Sequence, residues 1–194
     1  MGLNSEIKVD LNDTYASEQL TSAIRVSGAK RLSVQFVYAD ATPSADTFTA
    51  AVTDICTASA HGMVTGLKVQ LTTTDTLPAG LALLTDYFVI KLDANTFSLA
   101  SSLNNALAGT AVNITDTGTG THTITAEAVS TATAALQISN DGSTWDDVGT
   151  PTDISSGGDV LIQDEVNYVY ARLKLAIATG QFSVVSTMCI PYEI

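Results

Sequence analysis

Cysteine is almost absent: Cys56 and Cys189 are the only two in 194 residues. A disulfide framework therefore cannot be the main source of stability, and the plainest reading of both thiols is as small buried hydrophobes. Charge is scarce at 14% of residues and aromatic rings scarcer at 6%. So few rings leave little with which to line a sugar-binding cleft. Basic residues are the rarest charged class, 8 against 20 acids, for a formal net charge of -12. Such a surface repels phosphate backbones and anionic lipids, which argues against nucleic acid or a membrane as partner. No apolar run approaches the ~20 residues needed to span a bilayer. The opening MGLNSEIKVDLND has no basic stretch followed by an apolar one, so no secretory signal is expected and the chain is expected to be made in a cytoplasm. Catalytic signatures are missing as well. There is no GxSxG and no HExxH, and GTGTHT (Gly118 to Thr123) lacks the lysine of a phosphate-binding loop. The expectation is no enzyme, no cofactor and no resident metal.

What the chain has is Thr, Ala, Ser, Val and Leu arranged with a period of two, the pattern of half-buried strands. Lys30 to Tyr38 places Leu32, Val34, Phe36 and Tyr38 on one face. Asp46 to Thr53 alternates again, and Ile7 to Leu11 and Ser22 to Ser27 are shorter candidates. Between His61 and Thr123 the runs Leu67 to Leu71, Asp86 to Leu92, Thr96 to Ala100, Thr110 to Thr115 and Thr121 to Ala126 are punctuated by turn chemistry. Pro78 and Gly80 in LPAG make one turn, Asp93 and Asn95 in DANT another, and Gly118 to Gly120 a third. Ser101 to Ala108 alone has helical character, with Ser101 or Ser102 as cap and Gly109 as stop. Ala134 to Ser139, Asp159 to Gln163, Tyr168 to Ile177 and Phe182 to Ile190 complete the strands, the last two joined across Ala178-Thr179-Gly180.

These runs predict an all-β fold: an antiparallel β-sandwich with a small β-barrel-like module inserted between its strands. The expected division is an N-terminal arm over 1–20, a discontinuous sandwich over 21–52 and 127–194, and the insert over 53–126. The acids are unevenly placed. From Ala126 onward, Arg172 and Lys174 stand against nine: Glu127, Asp141, Asp146, Asp147, Asp153, Asp159, Asp164, Glu165 and Glu193. That distribution suits an exposed face kept soluble, or one that meets a basic partner.

The stretches Ala29 to Tyr38, Ala134 to Gly149 and Asn167 to Val185 together resemble a small β-sandwich that recurs among structural proteins of tailed bacteriophages. In that pattern Gly142 permits the SNDG turn and Trp145 covers one end of the core. The central module also resembles one met in phage virion proteins, carried by His61-Gly62, Gly66, LPAGL from Leu77, Tyr87, DANTF from Asp93 and GTGTHT from Gly118. Its shape is similar to the β-barrel half-domain of ubiquitin-activating enzymes, without their ATP-binding or thioester machinery. The resemblance implies a non-enzymatic virion structural protein, most simply a head decoration or cement protein on the capsid surface. Its partners would be the major capsid protein or other virion proteins, and it would be a homo-oligomer. The arm would order on a neighbour and the insert would face outward. A tail, neck or fibre component binding a host receptor or glycan is the alternative.

Three residue sets merit inspection. His61 and His122, at the two ends of the module, suggest a metal pair or, beside turn glycines and threonines, rings that bond the backbone and close a barrel entrance. Asp141, Asp146 and Asp147 around a tight turn suggest calcium or a solvated loop. Tyr168, Tyr170, Arg172 and Lys174 form an aromatic and basic stripe. It reads either as an interface or as half-buried rings with Arg172 paired to a neighbouring acid.

Overall fold

A computed structural model describes residues 3–193. The chain is all-β: two antiparallel sheets and a closed six-stranded antiparallel barrel, with a single turn and a half of helix. In chain order the strands are β1 (Leu3–Tyr15), β2 (Gln19–Leu20), β3 (Ile24–Arg25), β4 (Arg31–Asp40), β5 (Asp46–Ala50), β6 (Cys56–Thr57), β7 (Lys68–Thr73), β8 (Tyr87–Lys91) and β9 (Thr96–Ala100). The helix α1 (Leu103–Leu107) follows, then β10 (His122–Ala126), β11 (Ala132–Ser139), β12 (Asp146–Asp147), β13 (Thr152–Asp153), β14 (Gly158–Glu165), β15 (Tyr170–Ile177) and β16 (Phe182–Glu193).

The chain divides into two compact units: residues 1–40, 130–178 and 182–194 in the first, residues 41–129 and 179–181 in the second. The first unit holds both open sheets. One has the order β1-β16-β4-β14; in the other β11 and β15 are central, with β12, β13, β2 and β3 as short flanking pieces. Alternation decides which faces are buried. Leu32, Val34, Phe36 and Tyr38 of β4 and Phe182, Val184, Met188 and Ile190 of β16 are buried, as are Ala171, Leu173 and Leu175 of β15.

Two features of this unit differ from the sequence expectation. Of the arm expected over 1–20, residues 1 and 2 lie outside the described residues, and Leu3–Tyr15 is an edge strand paired along β16. The apolar alternation runs only from Ile7 to Leu11, and the polar residues on either side of it hide the full length of the strand. A bulge between Val9 and Asn12 interrupts the ladder, and the Leu11 N–H there donates to the buried Ser186 Oγ at 2.9 Å. Trp145, expected over one end of the core, is only half-buried and lies on the Arg172 side of β15. The cause is β12: pairing Asp146 and Asp147 with Ile138 and Gln137 carries the tryptophan to that face.

The second unit is the barrel, closed in the order β10-β5-β6-β9-β8-β7. Its incoming and outgoing strands are neighbours, with Asp46 opposite Ile124 and Phe48 opposite His122. Because β5 is a barrel strand, the unit begins at Ala41 rather than at residue 53. It also takes in Thr179–Gln181, which no sequence pattern announced. Gln181 is 1% exposed; its Nε2 donates to Ala41 O at 2.7 Å and Gly62 O at 3.0 Å, and its Oε1 accepts from Val64 N–H at 3.1 Å. A buried amide with every group satisfied fixes the chain it touches.

Turn residues do the shaping. A Cβ on Gly118 would sit 2.5 Å from Thr76 O, and one on Gly80 would sit 2.1 Å from Asn113 O, so neither position admits a side chain. Asp93 Oδ1 accepts the Asn95 and Thr96 N–H groups at 2.7 and 2.8 Å, while Asn95 Oδ1 turns instead to Ala60 N–H at 2.9 Å. Ser102 caps α1 by accepting the Asn105 N–H. Thr110 to Thr115, expected as a strand, is not one. Its N–H groups are shared out instead, Val112 to Leu99 O, Ile114 to Asp54 Oδ1 and Thr115 to Ala79 O. With three unrelated acceptors no single neighbouring strand can form a ladder with it.

Candidate functional site

Within the barrel the two histidines are buried at 4% exposure each and are separated by phenyl rings. His61 stands nearly perpendicular to Phe97, with centroids 5.4 Å apart; Phe97 meets Phe48 edge-on at 6.1 Å; and Phe48 meets His122 at 5.5 Å. Their nitrogens serve the fold. His122 Nε2 lies 3.1 Å from the Thr117 carbonyl, which can only accept, so Nε2 carries a proton; Nδ1 lies 3.0 Å from Thr73 Oγ1. His61 Nδ1 accepts the Met63 N–H at 3.0 Å, and its Nε2 has no partner. The rings are thus links in an aromatic chain rather than two ligands facing one point. Among the described residues, no cluster of three or more His, Cys, Asp or Glu side chains is placed to hold a metal ion.

Cys56 lies in the same interior. Burial, and after it the charge of Asp54, pushes its thiol up to about 12, which leaves no thiolate for nucleophilic work near neutral pH. Cys189 is half-buried on β16 in the other unit, and both thiols are free.

Asp141, Asp146 and Asp147 do not converge. Asp141 Oδ1 accepts the Thr144 and Ser143 N–H groups, each at 2.8 Å, and the Ser139 hydroxyl at 2.9 Å. Those donors hold its carboxyl far below the usual carboxylate range. A carboxylate so occupied is a turn's anchor, with its lone pairs directed inward. Asp147 accepts from Gln137 Nε2 at 2.8 Å, on the β11 side. Asp141 and Asp146 border a shallow cleft of about 250 Å³ with Ile138, Asn140 and Tyr168.

The stripe splits. Tyr168 precedes β15 and is 7% exposed. Burial pushes its phenol pKa up and the neighbouring Asp164 adds to the shift; the geometry leaves the hydroxyl unpaired, so the influence of Asp164 is one of charge. Tyr170, Arg172 and Lys174 do share one face of β15, all half-buried. The arginine is well held. Its Nε donates to Gln137 Oε1 at 2.8 Å and its guanidinium carbon lies 4.2 Å from the centre of the Trp145 ring. Lys174 Nζ reaches Glu18 Oε2 at 3.8 Å, and Tyr170 packs beside the Gly142 turn. Sequence reasoning missed Gln137 and Trp145 as partners of Arg172. The β11–β15 register, which sets Gln137 opposite Arg172, was the signal that could have found the glutamine; nothing local in the sequence points to Trp145. What this face can do is offer Trp145 and Arg172, both half-buried and held in place by the buried Gln137, which also donates to Asp147, as a pre-ordered surface for contact.

No family model matches the chain. No curated protein matches it either. Among solved structures it is similar to the SPBc2 prophage-derived protein YomS, at 8% identity over 98% of this chain and 96% of that one, with a TM-score of 0.28. It is also similar to the VP16–VP17 complex of the two major capsid proteins of bacteriophage P23-77, at 8% identity over 98% and 100%, TM-score 0.26. The third is VP17, a capsid protein of the same phage, at 9% identity over 100% and 98%, TM-score 0.20. The likeness to prophage and phage capsid proteins is weak, and at these TM-scores it carries no functional argument.

Proposed function

We propose that the protein is a non-enzymatic structural subunit of a phage virion, working by shape as a head decoration or cement protein on the capsid surface. The observation that carries this reading is the pairing of the barrel's incoming and outgoing strands, Asp46 with Ile124. A module whose ends are adjacent strands closes on itself, so it can be carried in the connection between β4 of one sheet and β11 of the other without interrupting either ladder. A module carried in that way suits contact with a partner. The resemblance of Ala29 to Tyr38, Ala134 to Gly149 and Asn167 to Val185 to a phage sandwich supports the same reading, as does the structural use of His61, His122 and Cys56 in the barrel interior and of Asp141 in an exposed turn. The partners are the major capsid protein or other virion proteins and further copies of this chain, with assembly in the host cytoplasm. Co-sedimentation of the purified protein with capsids lacking it tests the proposal: saturable attachment that raises the temperature at which the shells open is expected, and capsids that leave it in the supernatant refute it.

A tail, neck or fibre role with host contact is favoured by one feature of the barrel unit. Leu83 and Leu84 are 53% and 88% exposed on a loop, and Leu84 holds a left-handed φ of 57°. Exposed apolar side chains on a strained loop suit a contact. Saturable binding of the purified protein to host cells, lost in Leu84→Asp, would favour this second reading.

A further inference from the structure

β14 is the last strand of its sheet: it pairs with β4 on one side and, among the described residues, with nothing on the other. The ladder's phase shows which backbone groups are free. Val166 N–H donates to Lys30 O, one step beyond the pairing of Glu165 with Arg31, so residues 160, 162 and 164 point their N–H and carbonyl groups at β4. Asp159, Leu161, Gln163 and Glu165 then direct theirs away from the sheet. The strand is also poorly covered on both faces. Leu161 is 56% exposed, and Val160 and Ile162 are only half-buried although they sit opposite Phe36 and Val34, which are fully buried. The strand GDVLIQDE carries Asp159, Asp164 and Glu165 and no base.

We infer that the free edge of β14 is a docking site for an extended segment of another protein, alternating basic and apolar residues, that adds to the sheet as a further strand. Each part of the edge selects one property of that segment. The outward backbone groups at Asp159, Leu161, Gln163 and Glu165 select an extended chain. Leu161 on one face, and Val160 and Ile162 on the other, select apolar side chains. The three carboxylates select lysine or arginine. A second copy of this chain fits badly, because two β14 strands edge to edge double the acids in one ladder with no base on either strand. The inference does not depend on where in a virion, or whether in one, the protein resides.

The test uses the full chain and a fluorescently labelled short peptide of alternating lysine and valine, with a glutamate and valine counterpart. Leu161→Pro removes an outward N–H and leaves the bonds to β4 intact, so its thermal unfolding should match that of the unaltered protein. The lysine peptide is expected to bind, more weakly as salt rises, and to slow amide hydrogen exchange at Asp159, Leu161, Gln163 and Glu165. Leu161→Pro should weaken it by about ten-fold, and the double reversal Asp159→Lys with Glu165→Lys should transfer the preference to the glutamate peptide. No binding by the lysine peptide, equal binding by Leu161→Pro, or indifference to charge reversal would overturn the inference. So would self-association of the free protein that Leu161→Pro abolishes, since the occupant would then be a second copy.

Discussion

At the scale of single residues, most groups that look reactive in the sequence are structural. Cys56 is the clearest case: with burial pushing its thiol to about 12, a thiol reagent at mild alkaline pH should modify it only after unfolding, and rapid labelling of the folded protein would contradict this. Gly118, at φ +64° with a Thr76 carbonyl where a Cβ would be, should lose about 1–3 kcal/mol on change to alanine, read as a fall in the unfolding midpoint. The aspartates give a pH dependence. Asp141 is lowered by the Thr144 and Ser143 N–H groups and the Ser139 hydroxyl, Asp116 by the Ala79 and Gly118 N–H groups, and Asp153 by the Ser155 hydroxyl and N–H. Each folded pKa lies below the unfolded one, so the unfolded state binds more protons in between. Their contribution is complete above the ordinary carboxylate pKa of about 3.9 and is lost as pH falls below it. Thermal unfolding scans below that pH should show a falling midpoint, with a shallower fall in Asp141→Asn.

At the scale of elements, strands with an alternating apolar stripe were legible, and the way strands pair was not. β4 was readable because Leu32, Val34, Phe36 and Tyr38 alternate with the more exposed Ser33, Gln35 and Val37, and β15 because Ala171, Leu173 and Leu175 alternate with Tyr170, Arg172 and Lys174. β1 was read only over Ile7 to Leu11, where apolar residues alternate, because the polar residues flanking that stretch give no strand signal. Of the barrel, the DANT and GTG turns were legible from asparagine, aspartate and glycine chemistry. The place of β5 was not, because its partners β6 and β10 are fixed by tertiary pairing that local alternation cannot express. The candidate interface was half legible: period two put Tyr170, Arg172 and Lys174 on one face, but Trp145 reaches Arg172 only through the turn before β12. Within the barrel, Phe97 touches both Phe48 and His61 and is fully buried. Phe97→Ala should therefore cost about 3–5 kcal/mol in a denaturant titration, against little for exposed Leu92→Ala.

At the scale of the whole molecule, a self-closing barrel lies in the chain between β4 and β11 of a two-sheet unit, and the proposed role in virion decoration rests on that arrangement together with the phage-like sequence pattern. Replacing residues 41–129 by a short flexible linker should leave the two-sheet unit folded, with a cooperative transition and a β-type circular dichroism spectrum; an unfolded product would show that the units are not separable. The most direct measurement is the stoichiometry of this chain in purified virions, by quantitative mass spectrometry against the major capsid protein. A copy number comparable to that of the capsid subunits is predicted, and virions that lack the chain would contradict the account.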